Sequence, residues 1–318
     1  MERGETRFNN LGEWHMATIA VMGASGNIGS KVTEHLLAGG HTVRAIGRSA
    51  EKLAGLKARG AEVVPGDAAD EAFLTRAFTG ADGALTLVPT DLGSPDVRAD
   101  MERVGTSIAG AIAKSGVRHA VAISSLGGER PSGTGPIAGL HAQEERLKRL
   151  TGTNVLVLRP GFFFENFLHS LDLIRHQGIN GGGAAGRTTL PMIATQDIAA
   201  FAARALAARD WSGFQVRELL GQRDLSFDEA TRIIGAKIGK PDLAYVQFPY
   251  ADYAAALQQA GVSKSVAGAY AEMEKAFDDG LVKSLEGRNA GNTTPTAFEE
   301  FAGVIAQAYH GAARAAGA

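Results

Sequence analysis

Residues 21–30 read VMGASGNIGS, with glycines at positions 23, 26 and 29, close behind the apolar run ATIAV (17–21). Three glycines spaced by two residues describe either a tight turn or a phosphate cradle, and the flanking sequence decides between them. Upstream, Thr18 to Met22 form a short β-prone apolar run; downstream, Ile28, Val32, Leu36 and Leu37 fall on one helical face before a Gly-Gly stop. A second strand follows in HTVRAI (41–46). The glycines therefore open the helix of a β-α-β unit, where free backbone N–H groups and the positive end of the helix dipole attract a pyrophosphate. Gly23 permits the sharp turn, Gly26 admits phosphates without a Cβ in the way, and Gly29 lets helix and strand pack closely. Ser25, Asn27 and Ile28 complete the expected cradle.

The alternation continues along the chain. EKLAGLKARG (51–60) has helical spacing, AEVVPGD (61–67) reads as a strand, DEAFLTRAF (70–78) as a helix and GALTLVP (83–89) as a strand. A helix over 95–114 leads into the strand RHAVAISS (118–125), and a helix over 139–150 into TNVLVLRP (153–160). This order predicts an α/β fold: a Rossmann-type doubly wound parallel sheet over 16–160, with helices on both faces. Residues 161–318 are expected to form a smaller, mostly helical substrate-binding part, with segments packing back on the Rossmann core. Within it INGGGAAGRTTLP (179–191), rich in glycine and poor in periodicity, predicts a mobile loop near the substrate cleft or a long surface connection, and TQDIAAFAARALAA (195–208) an alanine-faced helix.

Composition narrows the function classes. A chain of 318 residues with 45% apolar residues has material for a sizeable core. A net charge of −2 makes no electrostatic case for nucleic acid or an anionic membrane, and no apolar run approaches membrane-span length. With no cysteine, redox chemistry must come from a bound cofactor, and a cytoplasmic location is expected. His35, His119, His169, His176 and His310 show no metal-ligand spacing, so no metal site is expected. Residues 1–15, polar and without an apolar signal core, read as a disordered extension ahead of Met16.

Ligands of parallel sheets sit beyond the carboxyl ends of the strands. The residues placed there are Gly23 to Gly29, Gly47 and Arg48, Asp67, Val88 to Thr90 with Pro89 between them, Ser124 to Gly127, and Pro160 to Phe164, with Gly161 and Phe162 among them. After the second strand an NAD-selective site carries a carboxylate for the ribose hydroxyls; this chain has Gly47 and Arg48, followed by Ser49 and Lys52. A guanidinium there pairs with a 2′-phosphate, which favours NADP(H) over NAD(H); the alternative is a solvated arginine at a helix start. Asp67 either accepts from the adenine amino group or caps the following helix.

Seven stretches in this order resemble the NmrA-like atypical short-chain dehydrogenases/reductases: GASGNIGS (23–30), VRAIGRSAEKL (43–53), Gly66-Asp67, ISSLGG (123–128), HAQEERLKRLTGTNVLVLRPGFFFENF (141–167), DIAAFAARAL (197–206) and TPTAFEEFA (294–302). The resemblance runs from residue 17 to about 308 and implies an NAD(P)-binding Rossmann core with a small substrate part. Some members reduce quinones, triphenylmethane dyes or isoflavonoid-type substrates, and others sense the NADP(H)/NAD(H) state without catalysis. The Tyr-x-x-x-Lys pair of most short-chain dehydrogenases is missing here. Its serine remains as Ser124 or Ser125, and His141 and Glu145 stand where the pair would be, as in the quinone- and dye-reductase branch.

Four residues apart on a helix, His141 and Glu145 share a face, so the carboxylate could orient the imidazole; alternatively Glu144–Lys148 and Glu145–Arg149 form ordinary pairs on a solvated face. Phe162 to Phe164 match family positions beside the nicotinamide. Phe163, Phe164 and Asn166 thus become candidates for a substrate wall, with core packing as the alternative for the phenylalanines. The reading that follows is an NADPH-dependent reductase of a flat, electron-poor small molecule such as a quinone. A non-catalytic NADP(H)-responsive sensor is the rival, and a homo-oligomer suits either.

Overall fold

The computed structural model describes residues 16–316, so the expectation for residues 1–15 lies outside the described residues. The first half alternates strand and helix: β1 (Thr18–Met22), α1 (Asn27–Ala38), β2 (Thr42–Gly47), α2 (Ala50–Ala58), β3 (Glu62–Pro65), α3 (Glu71–Phe78), β4 (Gly83–Leu87), α4 (Val97–Ser115), β5 (His119–Ile123), α5 (Ile137–Leu147) and β6 (Asn154–Pro160). Each boundary has a local cause. The side chains of Ser49, Asp70 and Asp96 accept backbone N–H groups at the starts of α2, α3 and α4, and Gly116 ends α4 in the left-handed region at φ +74°.

The central strands are mostly apolar because both faces of the sheet are covered. Their residues divide by the period of two. Ile19, Val21, Leu85, Val121, Leu156 and Leu158 enter a core with α1 and α2, whereas Ala20, Met22, Ala84, Ala120, Val155 and Val157 enter a second core with α3 and α4. All the pairings are parallel, in the order β6-β5-β4-β1-β2-β3. The order reverses between β1 and β4, which opens a crevice at their carboxyl ends.

Beyond β6 the chain forms β7 (Phe162–Phe163), a 3-10 turn (Phe164–Ser170), α6 (Leu171–Gln177), β8 (Ile179–Gly182), β9 (Thr189–Ile193), α7 (Thr195–Ala208), β10 (Phe214–Leu219), β11 (Asp224–Ser226), α8 (Phe227–Ile238), β12 (Ala244–Gln247), α9 (Tyr250–Gln259), α10 (Lys264–Asp278) and α11 (Phe298–Ala316). β10 returns to the main sheet as a seventh strand, parallel to β6. The alanine face of α7, with Ala199, Ala202, Ala203 and Leu206 buried, joins the core of α1. The remaining elements enclose a third core around Phe164, Phe167, Phe227, Phe277 and Phe298. Among the described residues no helix is long and apolar enough to cross a membrane.

The 179–191 stretch is two strand segments, 179–182 and 189–191, joined by a short turn at 183–188, rather than one long loop or connection. β8 pairs with β12, and β9 pairs with β7 and β11. Its glycines are there because neighbours fill the space of a side chain: a Cβ at 181 would overlap Phe248 and the Val246 carbonyl, at 182 the Tyr245 hydroxyl, at 183 Glu274 and at 186 the Asp228 carboxylate. Glycines carry no alternation, so the strand pattern was invisible in the residues.

Candidate functional site

Gly23 turns the chain at φ +63°, and the Gly26 N–H donates to its carbonyl at 2.9 Å. A Cβ on Gly29 would overlap that same carbonyl oxygen, so the helix starts this close to the strand only with glycine at 29. Gly26 forms the N-cap of α1, and no side chain caps the helix. Ser25, Gly26 and Asn27 are exposed, while Ile28 turns into the core beneath them. The uncapped first turn leaves N–H groups without partners inside the helix, on a surface with no Cβ at 26. These residues fit a pyrophosphate.

The sheet order places the other candidates in a row along the crevice. Asp67 follows β3, Arg48 follows β2, the glycine turn follows β1, Val88 and Pro89 follow β4, Ser124 follows β5, and Pro160 and Gly161 end β6. With strands about 4.8 Å apart, Arg48 and Ser124 are separated by roughly 14 Å across β2, β1, β4 and β5. Arg48 is exposed and forms no ion pair among the described residues, and Lys52 is exposed beside it. Ser49 is a helix cap, accepting from the Lys52 N–H at 3.3 Å. Asp67 does not cap α3; it accepts from the Ala69 N–H at 2.9 Å, and the cap is Asp70.

At the far end lies a cleft of about 230 Å³. It brings together Val88, Ser124, Pro160, Gly161, Phe162, Phe163 and Asn166 from the expected set. Leu190 and Pro191 of β9, Met273 and Phe277 of α10, and Val282 close the other side. Pro89 is exposed and outside this lining. Phe164 corrects the substrate-wall expectation: it is buried against Phe298, with ring centroids 4.9 Å apart, and belongs to the core.

The expected His141–Glu145 pairing is not formed either. His141 Nδ1 donates to the Gly128 carbonyl at 3.0 Å, and half-exposed Glu145 lies 3.7 Å from Lys148 instead of reaching Arg149. Neither residue lines the cleft. Helical spacing put them on one face but could not say which face looks at the ligand.

The charge buried behind the cleft is the neighbour, Glu144, for which the alternative reading was a surface pair with Lys148. Ser124 Oγ donates to Glu144 Oε1 at 2.5 Å, and Arg159 grips both oxygens, through Nε at 3.0 Å and Nη2 at 2.6 Å. Glu129 adds a second carboxylate at 3.3 Å from Arg159. Burial alone would push the Arg159 guanidinium down; Glu144 outweighs it, and the net displacement is upward. Gly128 has no Cβ because the Glu144 carboxylate and Ser124 hydroxyl occupy that space. Two signals in the residues pointed here: Glu144 shares the heptad face of Ile137, Leu140 and Leu147, and Arg159 interrupts the apolar strand NVLVLRP. Charges at such positions are held only when paired.

A glycine turn that fits a pyrophosphate at the switch point, in one row with an apolar cleft along the strand ends, is the layout of a dinucleotide-binding protein of the Rossmann class. The NmrA-like family model matches residues 15–302, and the chain belongs to that family. It is 30% identical over 258 residues to quinone oxidoreductase 2 of Escherichia coli, covering 80% of this chain and 86% of that one. Over 257 residues it is 28% identical to an NAD(P)H azoreductase of Xenophilus azovorans, covering 80% and 85%. The fold superimposes with a TM-score of 0.75 on the NADPH-dependent quinone oxidoreductase QOR2 of Escherichia coli, crystallised with NADPH, at 26% identity over 90% of this chain and 99% of that one.

Proposed function

We propose that this protein is an NADPH-dependent reductase of a quinone or a similarly flat, electron-poor acceptor. The observation that carries the reading is the continuity of the crevice: the uncapped α1 turn, exposed Arg48 and the cleft beside Ser124 lie in one row along the strand ends. The kinship to reductases of quinones and azo compounds supports it.

The turn at Gly23–Gly29 would hold the pyrophosphate, Arg48 and Lys52 the 2′-phosphate, and Val88, Pro160, Gly161 and Phe162 the nicotinamide end. NADPH, when bound, supplies a hydride. The protein's part is to hold an acceptor against that end and to keep water out, which the apolar walls of Phe162, Phe163, Met273 and Phe277 do. Because the Ser124 proton is committed to Glu144, the Ser124 oxygen faces the cleft as an acceptor and orients a donor group there. Thr90, Ser125 and Asn166 are the cleft's other polar side chains, able to donate to acceptor oxygens. Quinol oxygens take protons from weak donors or water, so the missing Tyr and Lys are dispensable for this reaction. The partner is thus a small molecule, and the enzyme is placed in the cytoplasm.

Steady-state oxidation of NADPH with a panel of quinones tests the reading. Turnover well above the enzyme-free background is expected. Binding of both cofactor forms without turnover of any quinone would overturn it in favour of the sensor.

A further inference from the structure

Nineteen residues line the cleft, and none carries a charged side chain. Glutamates and an aspartate close to them are turned elsewhere. Behind Ser124, Glu144 is taken up by Arg159. On α10, Met273 and Phe277 face the cleft, whereas Glu274 accepts the Ala184 N–H at 2.8 Å and Asp278 accepts from Ala185 N and Thr188 Oγ1. Following Phe164, Glu165 accepts from Thr195 N at 3.1 Å. A charged substituent entering this cleft would give up its water and meet no counter-ion, which is the costly case for burial. By contrast, Thr90, Ser125 and Asn166 give three neutral groups able to donate to carbonyl oxygens on a hydrocarbon ring, with Ser124 beside them as a neutral acceptor, all among apolar walls.

We infer that the acceptor is uncharged and lipophilic, an alkyl- or aryl-substituted quinone, and that the cleft excludes acceptors bearing a sulfonate, carboxylate, phosphate or fixed cation near the reacting ring. This rests on the reductase reading and narrows its substrate class. The methionines at 101 and 273 sit where alkyl substituents of differing shape can be accommodated by soft, unbranched side chains.

The test uses the full chain with NADPH and three naphthoquinones that differ in one substituent: methyl, sulfonate, and trimethylammoniomethyl. A sulfonate makes the ring more electron-poor and so intrinsically the better hydride acceptor, which sets chemical reactivity against the expected order. The methyl compound should exceed both charged ones in kcat/KM by at least tenfold. In Met273→Lys the sulfonate should recover relative to methyl while the ammonium compound falls further, and Met273→Gln, polar but neutral, should leave the ratio of sulfonate to ammonium unchanged. Either charged quinone turning over as well as the methyl compound in the unmodified protein overturns the inference and leaves the quinone reductase standing. No turnover of any of the three overturns the reductase reading and the inference with it.

Discussion

At the β1–α1 turn the surface offered to a ligand is main chain, created by three glycines within seven residues, whereas the far end of the crevice is walled by side chains drawn from positions between Val88 and Val282. At Gly29 the first kind of surface tolerates no added atom, because the neighbours are backbone, and at Gly23 the positive φ resists a side chain. The second consists of flexible side chains packed on one another, so single changes should be absorbed or redirected rather than fatal. Substitutions at the two ends should therefore differ in kind as well as in size.

The largest effect is expected at Gly29, where any side chain must displace the Gly23 carbonyl. Gly29→Val should weaken NADPH binding more than a hundredfold in a fluorescence titration, with thermal melting as the check on folding. An unchanged affinity would mean that the cradle is not main chain. At the cleft end, Glu144→Ala leaves the Arg159 guanidinium buried with only part of its charge met, and should cost about 3–5 kcal/mol in urea unfolding. Adding Arg159→Met should return much of that loss. One residue along, Glu145→Ala removes an exposed pair worth at most about 0.5 kcal/mol.

A smaller, selective effect belongs to Arg48. Arg48→Ala should lose a charge-assisted contact of about 1.5–3 kcal/mol, a ten- to hundredfold weakening for NADPH and far less for NADH. Four dissociation constants, two cofactors against two proteins, separate the phosphate contact from general damage. Equal weakening of both cofactors would reduce Arg48 to stacking or loop support.

A pH-dependent effect sharpens the packing side of the comparison. Burial pushes the Glu274 carboxyl up to about 7, outweighing the Ala184 N–H that favours its charged form. The folded state thus holds that proton more tightly than the unfolded chain. Its contribution to stability is fully present below about pH 4.5, declines as pH rises to about 7, and stays lost above that. Glu274→Gln should flatten this decline and gain ~1–3 kcal/mol above neutrality. A stability profile that keeps its slope in the variant would assign the slope to another group.

The contrast also explains what could be read from the residues. A main-chain site leaves its trace locally, so the strand, the turn, the helix and Arg48 were legible within thirty residues. The six strands of the first half were equally plain, because each is a short apolar run between turns. The cleft was legible where it continues a strand, at Val88, Ser124 and Pro160–Phe163, and at Asn166 through the family motif. Leu190, Met273, Phe277 and Val282 arrive from elements whose placement depends on tertiary packing, and nothing in their own neighbourhoods announces it. Phe164 shows the limit of a motif: within FFF one ring meets the core and the next the ligand space, and only the turn after β7 settles which. For Glu144 against Glu145 the signal was present, in the apolar face shared with Ile137 and Leu147, but the i,i+4 pairing rule pointed to the surface.

The account's central claim is that the glycine turn and the uncharged cleft hold donor and acceptor of one hydride transfer. Single-turnover mixing of the enzyme, preloaded with NADPH deuterated at the transferring position, against a neutral alkylated naphthoquinone tests it most directly. The account predicts oxidation far faster than in free solution, slowed by the primary isotope effect relative to unlabelled NADPH. Oxidation at the solution rate, with tight cofactor binding intact, would contradict it.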